Sequence, residues 1–361
     1  MGKGITTRQM FFILLLIVSS FRTTDIPQMA AQTMGRSGWI IIVVYAVPFS
    51  LVAIMLAKLQ YMYAGLTIVE YGQILLGKAL NYIMCSIFAV YFFSVLVYLN
   101  HSIVTLISTN FLPKTLPAFY LAPAIALFGF IVYKGTETMA RLFELMGFLY
   151  MVVTLLLCVL MITQTEFVNI LPFYNPNEAT HFTEAIILFG SIYGGLENLF
   201  LVPFGNKSNK APKVAFFSIW GICLLFLLIT EGSIGVLGVN NAIVYNDAFI
   251  EAIKLANAPV IERPDILYIT IGLASLFAGL IVLIHSVVEL IMKIFAITKR
   301  GITVSAVCAA TYGATLYLLK STELYEMYKK VLPIIVLFFA GGMPSLLFLL
   351  AIIKKRSQAG R

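Results

Sequence analysis

Charge is what this sequence has least of. Asp, Glu, Lys and Arg make up 11% of its 361 residues, where a soluble domain carries about 25%. So few charges exclude a soluble enzyme, a nucleic-acid binder and a disordered scaffold. Histidine is nearly missing too, with three copies. No HExxH pair, His cluster, Ser-His-Asp arrangement or aspartate-rich diphosphate motif occurs, so an enzyme is not expected. Cys85, Cys158, Cys223 and Cys308 sit in four different apolar runs without metal-site or redox spacing. They read as small hydrophobes packed between helices, and no metal or cofactor is expected.

Hydrocarbon fills the space that charge leaves, at 61% of residues. A membrane span takes about 20 apolar residues, and ten such runs follow one another along the chain. They lie at about 10–33, 39–63, 80–110, 117–134, 141–163, 183–204, 212–239, 264–291, 301–319 and 331–353. Their lengths fit helices and not barrel strands, which need only about 10 residues. Two polar-flecked stretches, about 66–78 and 242–257, are too short in apolar length to span and are expected to lie at the interface or re-enter. The run from Met10 to Val18 follows Lys3 and Arg8 as a signal peptide's core would, but no small-residue cleavage site follows it, and it reads as the first span. The expected fold is all-α and integral to the membrane, with ten transmembrane helices in one polytopic domain, 1–361.

The formal charge of +8 is mostly an orientation signal, because Lys and Arg resist translocation. Ten spans put Arg36, Lys114, Lys254, Arg263, Lys320, Lys329 and Lys330 on one side and sixteen basic residues on the side of the N-terminus, with Arg22 inside a span. Both termini are therefore expected in the cytoplasm. The basic tail, Lys354 to Arg356, is placed to touch anionic membrane lipid.

Two spans break the apolar rule. The first carries Ser19-Ser20-Phe21-Arg22-Thr23-Thr24-Asp25-Ile26-Pro27 in its middle. An Arg or Asp at that depth costs at least about 2.5 kcal/mol on insertion scales, and Pro27 removes a backbone bond as well. The sixth span carries Gly190-Ser191-Ile192-Tyr193-Gly194-Gly195-Leu196-Glu197-Asn198. At 1.5 Å per residue, Arg22 lies about 21 Å from Arg8 and Glu197 about 21 Å from Thr183, so both faults fall near mid-membrane. They occupy the opening helices of two five-span halves that enter from opposite sides. This is the sign of an inverted-repeat transporter fold with its ligand site at unwound segments. The first repeat covers about 8–163 and the second about 181–320, followed by the tenth helix and basic tail at 331–361.

In these stretches the chain resembles the B subunit of spore germinant receptors, the endospore germination permease family of the amino acid/polyamine/organocation transporter superfamily. The resemblance runs from Ile5-Thr6-Thr7-Arg8-Gln9 to the tail. It is strongest at Gly194-Gly195-Leu196-Glu197 with Pro203, and at Glu262-Arg263-Pro264-Asp265, with support from Leu171-Pro172 and Arg141-Leu142-Phe143. It implies a ten-helix fold of the sodium-coupled amino-acid transporter kind and residence in the spore inner membrane. It also implies a complex with A and C receptor subunits, in which this subunit recognises a small germinant such as an amino acid or nucleoside. The chain departs from the family in span one, where Arg22, Thr24 and Asp25 stand in place of small residues before Ile26-Pro27.

A free amino acid needs donors for its carboxylate and acceptors for its ammonium, and the ends of broken helices supply both. Arg22, Thr23, Thr24, Asp25, Gly194, Gly195 and Glu197 are therefore expected to line one polar cavity, with Asn100 within reach of it. The alternatives are a structural Arg22–Glu197 ion pair and, for Asn100, a hydrogen bond to a neighbouring helix. Glu231 is a weaker candidate for proton relay, and His285 with Glu289 reads as a structural pair. Pro27 and the Glu262, Arg263, Asp265 segment are expected to gate or to dock span eight. A ligand-sensing receptor subunit and a proton- or sodium-coupled symporter share these features, and both readings stand.

Overall fold

In a computed structural model of the chain, the described residues are 5–23, 25–175, 181–202, 210–256 and 264–359, the side chains of 110, 265 and 356–359 excepted. The helices in chain order are α1 (Thr7–Arg22), α2 (Ile26–Met34), α3 (Trp39–Met62), α4 (Ile68–Leu76), α5 (Lys78–Asn110), α6 (Pro117–Lys134), α7 (Thr136–Thr163) and α8 (Phe167–Ile170). They continue as α9 (Phe182–Phe189), α10 (Ala211–Leu237), α11 (Val239–Val244), α12 (Ala248–Leu255), α13 (Pro264–Ile294), α14 (Arg300–Leu318), α15 (Thr322–Val336) and α16 (Met343–Ala359). No β-strand occurs among the described residues.

Among the described residues, eight helical runs are long and apolar enough to cross a membrane: α3, α5, α6, α7, α10, α13, α14 and the run Thr322–Lys355. The pair Thr7–Arg22 and Ile26–Ser37, bent by 56°, makes a ninth. The bend falls where the polar residues of span one interrupt the apolar run. The run expected at 183–204 is not one helix: α9 is followed by turns through Gly195 and a short 3-10 helix, Leu196–Phe200. Each piece is too short to cross alone, which is why the described residues give eight long helices and one bent pair rather than ten spans. The two stretches expected to lie outside the spans are α4 and the pair α11 and α12.

Helix signals in the sequence account for several ends. Thr6 caps α1 through a reciprocal pair with Gln9, whose side-chain oxygen accepts from the Thr6 N–H at 3.0 Å. Pro27 falls in the first turn of α2, where its missing N–H costs nothing. In α5 the two faces separate cleanly. Leu80, Ile83, Ile87 and Val90, spaced three and four apart, are exposed, while Cys85, Phe88, Phe92 and Val95 are buried. In lipid the exposed stripe carries no penalty, so cohesion comes from close packing instead. At Gly279 of α13 a Cβ would collide with the Ser20 side chain of α1, so this glycine sets how near the two helices come. α13 is the central helix, packed against α1, α5, α6, α7 and α14.

Polar contacts cluster on the face where the N-terminus lies. Lys293 reaches Glu70 at 3.0 Å and Thr67 at 2.7 Å, tying α13 to α4. Arg300 holds Glu289 at 2.8 Å, and His285 Nδ1 is 4.0 Å from the same carboxylate, as the pairing read from sequence requires. Arg8 pairs with Glu144 at 2.8 Å, and Lys354 donates to the Ile74 carbonyl. All four cysteines are free thiols.

Candidate functional site

The break in span one forms the floor of a cavity of about 320 Å3. α1 runs away from the N-terminal face, so a cavity lined by its end, by α2 and by the second half of α5 opens on the opposite face. Ser20, Arg22 and Asp25 come from the break, Gln28 and Gln32 from α2, and Tyr98 and Ser102 from α5. Asn246 and Asp247 enter from the connection before α12, and Tyr325, Glu326 and Lys329 from α15. Its charged lining holds two cations and three carboxylates, so both ends of a zwitterion find opposite charge there.

Arg22 sits at the bottom and is 3% exposed. Its Nη1 meets Asp25 Oδ2 at 2.7 Å, and its Nε donates to Ser191 Oγ at 3.0 Å. Asp25 is three residues along the chain and on the far side of the bend, so the ion pair closes the corner that the broken helix leaves. Ser191 belongs to the sixth-span fault, and its bond to Arg22 joins the two breaks. Tyr98 stacks on Tyr325 with ring centroids 5.6 Å apart, and His101 stacks on Tyr325 at 4.0 Å.

Leu188 of α9 lines this cavity, but the sixth-span residues expected there, Gly194, Gly195 and Glu197, do not. Glu197 is fully buried, accepting from Tyr91 OH at 2.6 Å and from the Gly195 N–H at 3.0 Å. Gly195 adopts φ +98°, a left-handed conformation that glycine enters freely, and a Cβ there would collide with Ile17. A Cβ on Gly194 would come within 2.7 Å of Val336 and 2.9 Å of Phe21. Asn198 donates to the Gly195 carbonyl at 3.1 Å and accepts from Ser286 at 2.7 Å. The fault is thus sealed by its own groups and by side chains of α5 and α13. A π-helical turn in the last span, Leu337–Gly342, lays Phe339 over Tyr91 at 4.1 Å, behind the Tyr91–Glu197 bond.

These positions correct three expectations. The shared cavity of Arg22, Asp25 and Glu197 resolves into two places, an open one at span one and a packed one at span six. The alternative Arg22–Glu197 ion pair is not formed either, because Arg22 pairs with Asp25 and Glu197 with neutral donors. Asn100 does not line the cavity; it is buried, and its amide donates to Thr315 of α14 at 3.2 Å, the neighbouring-helix alternative.

Thr23 is buried below the floor, donating to the Ser19 carbonyl with Tyr150 OH 3.5 Å away. Pro27 is buried in the first turn of α2 and does not line the cavity. Thr24, Pro203, Glu262 and Arg263 lie outside the described residues, as does the side chain of Asp265. Glu231 holds both carboxylate oxygens buried without a hydrogen-bond partner among the described residues. No group of three or more metal-ligating side chains occurs among them.

Sequence reasoning missed Tyr98, Gln28, Ser191, Asn246 and Tyr325. One signal was available for α5: Tyr98, Ser102, Thr105 and Thr109 all line the cavity at helical spacing, and Asn100 is two residues, about 200°, out of step with Tyr98.

A family profile described as spore germination protein matches residues 4–323. The spore germination protein YndE of Bacillus subtilis (strain 168) is 21% identical over 372 residues, covering 98% of each chain. Among solved structures, that of MhsT in complex with L-phenylalanine superposes with a TM-score of 0.66, over 94% of this chain and 87% of that one, at 14% identity. The last likeness is one of fold, an all-helical transporter architecture.

Proposed function

The chain belongs to the spore germination protein family and is an integral multi-pass membrane protein of permease type; from that premise we propose that it is the germinant-recognising subunit of a spore germination receptor. The ligand is a small polar molecule, an amino acid or nucleoside, and it binds in the cavity above the Arg22–Asp25 pair. The observation that carries this reading is the pair itself. A buried cation and its carboxylate partner stand at the floor of a cavity that also carries Asp247, Glu326 and Lys329. A ligand carboxylate competes with Asp25 for the guanidinium, and a ligand ammonium finds the carboxylates of the wall. Rearranging the pair changes the corner between α1 and α2, and the Arg22–Ser191 bond carries that change to the sixth-span fault.

In this reading the protein resides in the spore inner membrane with both termini cytoplasmic, and the signal passes to A and C partner subunits. A germinant panel on spores carrying Asp25→Asn beside Glu197→Gln tests it. Asp25→Asn raises the germinant concentration needed for half-maximal response, whereas Glu197→Gln acts through folding and changes the response to all germinants alike. An unchanged dose response of Asp25→Asn spores to every germinant removes the cavity as the site.

A second reading, a proton- or sodium-coupled amino-acid symporter, draws on the same cavity and on the transporter architecture. Purified protein in liposomes separates the two. Saturable uptake of a labelled amino acid driven by an imposed ion gradient favours the symporter; binding without uptake favours the receptor.

A further inference from the structure

The side of the bundle carries a groove of about 520 Å3 between α5, α13 and α14, and the function read above makes no use of it. Ala89 and Phe93 come from α5, Ile291 from α13, and Ile302, Ala306 and Ala310 from α14. The alanines leave the hollow, since each side chain stops at Cβ. Val90, Ile302, Ala306 and Ala310 are exposed, so the groove opens sideways, where the spans face lipid. Among the described residues Thr303 is the one polar side chain in the lining, and its hydroxyl is committed to the Lys299 carbonyl at 3.4 Å.

Length and charge together select the occupant. Ile302 and Ala310 are eight residues apart, about 12 Å along α14, close to the roughly 15 Å depth of one hydrocarbon leaflet. A helix about 10 Å across would occupy roughly 900 Å3 over that length, well beyond the hollow, whereas a single hydrocarbon chain is far thinner. The end nearest the N-terminal face is marked by Ile297, folded back by a turn in which its N–H donates to the Met292 carbonyl at 2.9 Å. Lys299 follows two residues later; it is exposed, and its ammonium makes no ion pair or hydrogen bond among the described residues. Its basic neighbours are committed, Lys293 to Glu70 and Arg300 to Glu289. No carboxylate lines the groove among the described residues. The result is an apolar slot about one leaflet deep with an uncommitted cation at its interfacial end.

We propose that this groove is a binding site for an anionic phospholipid of the leaflet on the N-terminal side, with one acyl chain lying along α14 and the phosphate group at Lys299. The chain fills the space that the alanines leave between α5 and α14, and the ammonium selects the headgroup by charge. The assignment concerns the lipid-facing surface alone and stands independently of the receptor reading.

The test uses the full chain with Trp39→Phe and Trp220→Phe, which removes both native tryptophans, and a reporter Ile302→Trp in the groove. It is reconstituted in equimolar phosphatidylglycerol and phosphatidylcholine, with brominated acyl chains, which quench tryptophan on contact, on one lipid or the other. Brominated phosphatidylglycerol is expected to be favoured at the reporter by about fivefold, the effect of one basic residue near the membrane surface. A reference reporter, Val159→Trp on the exposed side of α7, reads a ratio near one. Lys299→Gln brings the groove ratio towards one and Lys299→Arg keeps it. Ala310→Phe, an exposed position, fills the slot without touching Lys299 and lowers the ratio as well.

Equal quenching by the two lipids in the groove overturns the proposal. So does a preference that survives Lys299→Gln, or one that the Val159→Trp reporter shows equally, since either makes it a property of the bilayer around the whole chain. A preference unchanged by Ala310→Phe overturns it too, because the headgroup would then be held without the slot. A reporter that neither lipid quenches means that a protein segment covers the groove, and the lipid assignment falls. Each of these outcomes leaves the receptor reading intact.

Discussion

Arg22 is a cation in the middle of an apolar span, and what makes it tolerable is Asp25, on the same chain segment and on the other side of a bend. The carboxylate is partly open to the cavity, at 28% side-chain exposure, whereas the guanidinium is 3% exposed. Removing the acid therefore leaves a charge that cannot reach water. Asp25→Asn is expected to cost about 2 kcal/mol, below the range for a fully buried pair because one partner is already partly solvated. Adding Arg22→Leu to Asp25→Asn recovers at least half of that loss, read as the thermal unfolding midpoint in detergent. If the double substitution is no more stable than Asp25→Asn alone, the pair is not what holds the corner. Gly195 presents the opposite case, a residue defined by what it lacks. Gly195→Ala forces a left-handed backbone on alanine and drives its Cβ into Ile17, for a loss of about 3 kcal/mol from both sources together. Gly313→Ala is the control: a Cβ there has nothing within 4 Å, and the helix gains up to about 1 kcal/mol. Equal midpoints for the two variants would falsify the steric account. That Arg22 and Glu197 stand at interruptions of their apolar runs was legible in the sequence, because charges, a proline and adjacent glycines break such a run. Their partners were not, because spacing says nothing about which way a helix is turned or which helix stands beside it. Asn100 illustrates the gap: it lies two residues from Tyr98 of the cavity wall, and its side chain meets Thr315 of α14 instead.

At the scale of elements, the short helix α4 shows how a segment outside the spans is fastened to the bundle. Glu70 closes a reciprocal cap, its carboxylate accepting from the Thr67 N–H at 2.7 Å, and Lys293 of α13 adds an ion pair at 3.0 Å. Partial burial pushes the Glu70 carboxyl up, but the Thr67 N–H and the Lys293 ammonium outweigh it and hold the group below its usual range. A carboxylate whose pKa is lower folded than unfolded binds fewer protons in the native state. Its stabilisation is complete above the unfolded value of about 4.3 and disappears as pH falls through the lower native value. The thermal midpoint of the parent is thus expected to exceed that of Glu70→Gln at pH 6, with the difference closing below about pH 4. A gap that is constant or grows on acidification contradicts this fastening. The elements themselves were largely legible: nine of the ten apolar runs appear as long helices or a bent pair, and α4, α11 and α12 fall where the polar-flecked stretches lie. The sixth run was legible as a fault but not as a sealed one. Its closure depends on Tyr91, Ser286 and the π-helical turn at Leu337–Gly342, all distant in sequence.

At the scale of the whole molecule, the cavity above the Arg22–Asp25 pair lies opposite the N-terminus, and the receptor reading requires that face to be the one a germinant reaches. Its position links the proposed site to the distribution of charge. Basic residues are held on the side of synthesis, and here they crowd the face of the N-terminus, where Arg8, Lys293, Arg300 and Lys354 also make their contacts. If that face is cytoplasmic, the cavity opens outward. Single cysteines in a background lacking the four native ones decide it, treated with a membrane-impermeant thiol reagent in right-side-out vesicles. Cysteines replacing Thr115 and Ser321, in the connections after α5 and α14, are expected to label at once. Cysteines replacing Gly135 and Thr298, in the connections after α6 and α13, are expected to label only after the vesicles are opened. The reverse pattern puts the cavity on the cytoplasmic side, where no external molecule could reach it without first crossing the membrane, and the receptor reading would fall with the orientation. Labelling of all four sites in sealed vesicles would instead mean that the chain inserts in two orientations, which an excess of sixteen basic residues against seven is large enough to prevent.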